Sequence, residues 1–81
     1  MTYHELDSVV VARDLPTHGL RAGDLGAVVA VHPGDALEVE FVRVSGQTQA
    51  LVTLAPADVR PIGEYDLIAV RPCPPSSFLP E

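Results

Sequence analysis

Leu15-Pro16-Thr17-His18-Gly19-Leu20-Arg21-Ala22-Gly23-Asp24-Leu25-Gly26-Ala27-Val28-Val29-Ala30-Val31-His32 decides how the rest of this chain is read. It is a glycine-punctuated loop that delivers the chain into an apolar strand. Pro16 fixes its own φ and pushes Leu15 out of the helical region. Gly19 and Gly23 reach positive φ at little cost. Leu15 and Leu20 are expected to point inward and pin the loop to a core. Arg21 to Asp24 reads as a turn, with the Asp24 carboxylate bonding downstream backbone. A strand begins at Leu25, and Gly26 near its start marks a bulge or a close crossing strand. Ala27 to Val31 is apolar on both faces, as in a strand bent across a small closed barrel.

Working outward, Val9-Val10-Val11-Ala12 lies between Asp7-Ser8 and Arg13-Asp14. A short β-branched run with polar ends reads as a strand. The lead-in from Met1 ends at Leu6, where a short turn capped by Asp7 is possible. After the second strand, His32-Pro33-Gly34-Asp35 is a turn signal. Leu37, Val39 and Phe41 then alternate with Glu38 and Glu40, which puts one face in a core and the other in water. Arg43 to Gln47 makes the next hairpin, with Ser45-Gly46 supplying the turn. Thr48 to Leu54 is a fourth strand whose buried face is ambiguous, because Leu51 opposes Ala50, Val52 and Leu54. Pro56 to Val59 reads as a single helical turn, and Val59 to Ile62 as a short closing strand. The pattern is all-β: an SH3-like barrel of about five strands with a one-turn helix before its last strand.

The barrel is expected over residues 1–62 and a C-terminal extension over 63–81. Within the extension, Glu64 to Arg71 has the look of an extra strand. It either adds to the barrel's own edge or pairs with a second chain by β-augmentation. Residues 72–81 read as an extended, loose, Pro-rich tail.

Eighty-one residues make one domain with a thin stability margin and no room for a deep enclosed active site. The 47% hydrophobic content argues against disorder. The formal charge is −6, and the cations are five scattered arginines without a lysine. Nucleic acid is therefore a poor partner, since phosphate binding needs a basic face. An acidic surface suits a basic protein partner. A single cysteine, Cys73, excludes an internal disulfide. The polar, acidic start is unlike a signal peptide, and no apolar run approaches the roughly 20 residues of a membrane helix. A cytoplasmic protein without membrane contact is expected.

The run from Asp7 to Pro61 resembles a bacterial family of small SH3-like-barrel proteins classed only as a domain of unknown function. The residues that carry the resemblance are Asp7-Ser8-Val9-Val10, Asp14-Leu15-Pro16, His18-Gly19-Leu20 and Gly23-Asp24-Leu25-Gly26-Ala27-Val28-Val29. Glu38-Val39-Glu40-Phe41, Leu51-Val52-Thr53-Leu54 and Asp58-Val59-Arg60-Pro61 complete it. Proteins of this kind are often accompanied by a second small protein. The resemblance therefore implies an antitoxin-like or immunity-like binding role, with no assigned activity. The tail from Gly63 departs from the family pattern.

Chemistry is sparse. His4, His18 and His32 recur every 14 residues, which matches no metal signature. His18, near Asp14 and Asp24 in sequence, has the ingredients of a metal ligand or general base. The simpler reading is a ring nitrogen bonded to loop backbone, holding the loop's shape. The glycines of the loop do not fit a dinucleotide fingerprint, and no serine or threonine sits in a nucleophile elbow. Glu38 and Glu40 read as a wet strand face. The chain is expected to be neither an enzyme nor a cofactor or metal carrier. Its expected role is a non-catalytic protein-interaction module, with self-association through 64–71 as the alternative. Partner contact is expected at Asp14, His18, Arg21 and Asp24 in the loop, and at Tyr65 and Leu67 in the extension, because loops on a rigid barrel commonly carry recognition.

Overall fold

A computed structural model of the chain describes residues 2–73. Five antiparallel strands form one sheet: β1 (Ser8–Val11), β2 (Leu25–Val31), β3 (Leu37–Val42), β4 (Thr48–Leu54) and β5 (Val59–Pro61). Their order across the sheet is β4-β3-β2-β1-β5. Two 3₁₀ turns, Pro16–His18 and Pro56–Asp58, complete the regular structure.

The sheet has to curl. Laid flat, β4 and β5 would stand four strand spacings apart, about 19 Å. The connector between them is four residues, Ala55 to Asp58, three of them coiled in the second 3₁₀ turn. At about 2 Å rise per coiled residue, that connector reaches only some two thirds of the distance. Curling brings Leu54 at the end of β4 and Val59 at the start of β5 into one core with Val9, Val11, Val28, Leu37, Val39 and Phe41. The result is a small barrel-like fold. Val10, on the other face of β1, is also buried. It sits on β1 between Leu25 of β2 and Arg60 of β5.

The alternation read in β3 holds: Leu37, Val39 and Phe41 are buried while Glu38 and Glu40 are only half-buried. Register resolves β4. Leu51 pairs with Glu40 on the outer face, and Ala50 and Val52 pack against the core. The Glu38 carboxylate accepts bonds from Thr53 Oγ1 and His32 Nε2, both at 3.0 Å, and Glu40 accepts from Thr48 Oγ1 at 2.5 Å. Gly26 is a place of close approach, not a bulge. A Cβ there would lie 2.7 Å from Phe41 Cε1 and 2.8 Å from Val39 Cγ1. The register shift in β2 falls further on, between Val28 and Ala30. The turn at the N-terminus spans His4 to Asp7 and does not begin at Leu6; the Asp7 carboxylate accepts from the His4 N–H at 2.8 Å and the Asp7 N–H donates to His4 O at 3.1 Å.

Residues 64–71 do not form the expected strand. The chain turns sharply at Gly63, where the Asp66 N–H donates to Gly63 O at 3.1 Å and Asp66 Oδ2 accepts from the Gly63 N–H at 2.6 Å. Arg60 grips the same carboxylate with two bonds, at 2.8 and 3.0 Å. These bonds divert the chain from β5, and the segment then crosses to the Leu15–Asp24 loop as a strap with no ladder bonds. The apolar composition that suggested a strand is real, but it faces outward. The remainder of the Pro-rich tail, from 74 onward, lies outside the described residues.

Candidate functional site

The loop between β1 and β2 is built from the residues that the sequence singled out. Pro16 opens the first 3₁₀ turn, and Gly19 closes it in the left-handed conformation at φ 69°. Leu15 and Leu20 are buried, face each other in an isolated bridge, and exchange two backbone bonds. Asp14 Oδ1 accepts from the Ala22 N–H at 2.9 Å. Asp24 Oδ2 accepts from the Arg21 N–H at 2.8 Å, so its backbone bond runs upstream and not downstream. The His18 ring makes no hydrogen bond among the described residues. Its backbone N–H donates to Leu15 O instead, at 2.9 Å. Two carboxylates and two leucines hold the loop's shape, and the imidazole does not.

The strap lands on this loop. Arg71 Nε and Nη2 donate to Asp24 Oδ1 and Oδ2 at 2.9 and 2.6 Å, and Arg71 Nη2 also reaches Gly19 O at 3.1 Å. Burial pushes the Asp24 carboxyl up. The Arg71 hydrogen bonds, the Arg21 N–H and the two guanidinium charges outweigh it and hold the group below its ordinary value. Two residues further, Cys73 O accepts from Arg43 Nη2 at 3.0 Å. The Cys73 thiol is free and half-buried, 3.9 Å from Gly19 O.

Between strap and barrel lies an open cleft of about 560 Å³. Its walls come from the Leu20–Leu25 end of the loop, from the β3–β4 hairpin around Val42 to Gln49, and from Ile68 to Cys73. Of the residues expected to meet a partner, Asp14, Arg21 and Asp24 are gathered into one braced loop. Tyr65 and Leu67 stand fully out in water on the strap. The residues that sequence reading missed are Arg43, Arg60, Asp66 and Arg71, which fasten the strap.

Asp14, Asp24 and Asp58 each already accept backbone or guanidinium bonds. Among the described residues no cluster of three or more His, Cys, Asp or Glu could hold a metal ion. No helix among them is long and apolar enough to cross a membrane.

A family profile described as Domain of unknown function (DUF4926) matches residues 5–61. The chain belongs to the DUF4926 family. The DUF4926 match takes in all five strands and the braced loop and ends at Pro61, so the strap lies beyond the matched region. Asp24, which receives the strap, lies inside it. No curated protein and no solved structure matches the chain.

Proposed function

We propose that this chain is a non-catalytic protein-interaction module, the antitoxin-like or immunity-like partner of a small toxin or enzyme. In this reading the curled sheet is an SH3-like barrel of bacterial type that presents the loop and strap together as the contact surface.

One observation carries the reading. Tyr65, Leu67, Ile68 and Val70 are 94, 90, 76 and 84% exposed on a segment fastened at both ends. Contiguous apolar side chains on an acidic surface are what a protein partner covers. Fastening the segment and bracing the loop lowers the ordering cost of binding. The net charge of −6 favours a basic partner and fast encounter at low salt.

Affinity purification of the full chain from its native host, with the neighbouring gene product as bait, tests the proposal. A stoichiometric complex is expected, weakened by Leu67→Asp or Ile68→Asp. Absence of any complex at micromolar concentration overturns it. A second copy of the chain is the alternative occupant of the same side chains, and a concentration-dependent dimer in sedimentation, lost with Leu67→Asp, identifies that case.

A further inference from the structure

We propose that the cleft under the strap binds a small amphiphilic carboxylate, with its acid group on Arg43 and its apolar body along Val42, Leu25, Ile68 and Val70. The volume of about 560 Å³ falls within the range of small-molecule sites.

The decisive feature is charge. In a chain with 11 acidic residues against five arginines, this cleft is lined by two arginines, Arg43 and Arg71, and one acid, Asp24. Asp24 is already bonded twice by Arg71. Arg43 is half-buried and, among the described residues, meets only neutral acceptors: Gln49 Oε1, from Nε at 2.7 Å and also from Nη2, and Cys73 O, from Nη2 at 3.0 Å. Its Nη1 donates to nothing among the described residues. A cation drawn partly out of water without a counter-charge is unfavourable, and a carboxylate in the cleft supplies that charge. Guanidinium N–H donors match carboxylate oxygens well. A single cation without a carboxylate partner among the described residues, set between apolar walls, suits a monoanion with a hydrocarbon body. A nucleotide or polyphosphate would ask for several cations.

Ile68 and Val70 belong both to this cleft and to the partner surface proposed above, but Val42 and Arg43 belong to the cleft alone, and Tyr65 and Leu67 are not among its walls. The two proposals therefore fail separately.

Titration of the full chain with octanoate, read by amide chemical shifts, tests the site. Octanol and octylamine serve as neutral and cationic controls. Octanoate is expected to shift amides of residues 42–49 and 68–73 and to bind at least about tenfold more tightly than octanol, because the charge-assisted bond is absent from the alcohol. Arg43→Gln should remove that preference while Arg43→Lys keeps part of it. Because Arg43 also holds Cys73 O, Val42→Glu is the second variant. It leaves the strap contacts in place and should repel octanoate without weakening octanol. Equal binding of octanoate and octanol, no saturation by about 10 mM, or unchanged octanoate affinity in either Arg43→Gln or Val42→Glu overturns the proposal.

Discussion

Arg71 and Asp24, 47 positions apart, meet in a two-point ion pair with N–O distances of 2.6 and 2.9 Å. It fastens the strap to the family domain, and the two ends of the pair are not equivalent. Arg71 serves the strap, whereas Asp24 also braces the loop by accepting from the Arg21 N–H.

Arg71→Ala should therefore free the strap and leave the barrel nearly as stable, with a loss below about 1 kcal/mol. Asp24→Ala should free the strap and also unbrace the loop, with a further loss of about 1 kcal/mol for the backbone bond. Urea unfolding of both variants checks this ordering. Equal losses would show that the loop does not depend on Asp24.

The strap should also answer to acid. The two Arg60 hydrogen bonds, with the Gly63 N–H behind them, hold the Asp66 carboxyl down at about 2, against an ordinary 3.8. Asp24 is lowered as well. A depressed native pKa contributes stability that is complete above the ordinary value and disappears as pH falls through the native one. The Arg60–Asp66 fastening should thus hold at pH 5 and loosen between pH 3.8 and about 2. The Gly63 amide shift, followed by NMR, should titrate with its midpoint near that lower value. A midpoint near 4 would mean that Arg60 does not grip Asp66 in solution.

Gly26 is required for space. Its missing Cβ is the gap that Phe41 and Val39 fill, at 2.7 and 2.8 Å from where that atom would stand. Both neighbours are buried in the core, so neither can swing aside. Gly26→Ala should destabilise by about 1–3 kcal/mol through overpacking. Gly34, with open space around its Cα, is the control for crowding, although its φ of 84° brings a conformational cost of its own. Thermal unfolding measures both. A Gly26→Ala variant as stable as the parent would place Phe41 elsewhere.

The barrel was legible because its signals are local. Alternation in β3, valine density in β1 and β2, and proline or glycine at each turn all act within a few residues. The face of β4 was not legible, since Leu51 is as apolar as Leu54 and only pairing with Glu40 turns it outward. The loop's position and its buried leucines could be read, but the atoms that brace it could not. His18 looked the more versatile bonding group, while the geometry of the turn gave the work to Asp14 and Asp24. The strap was misread for a related reason. Its apolar run has strand composition, and what diverts it are contacts from Arg60, only a few residues away, and from Asp24, 47 residues upstream of Arg71. Nothing local in the sequence announces such a pair.

Asp58 offers the last test, because one buried side chain there does two jobs. Its Oδ2 accepts from the Ala55 N–H at 3.0 Å and so closes the 3₁₀ turn that lets β4 and β5 share a core. Its Oδ1 accepts from Arg13 Nη2 at 2.5 Å. Arg13 is itself exposed, so the ion pair should contribute less than about 1 kcal/mol. The backbone bond matters more, since Asp58→Ala removes the acceptor that closes the turn between β4 and β5, at a cost of about 0.5–1.5 kcal/mol. Asp58→Asn keeps an acceptor for Ala55 and should lose clearly less than Asp58→Ala, close to the loss in Arg13→Ala. Chemical denaturation of the three variants decides the matter. If Arg13→Ala proves as damaging as Asp58→Ala, the charge pair and not the turn closure holds β5 in place.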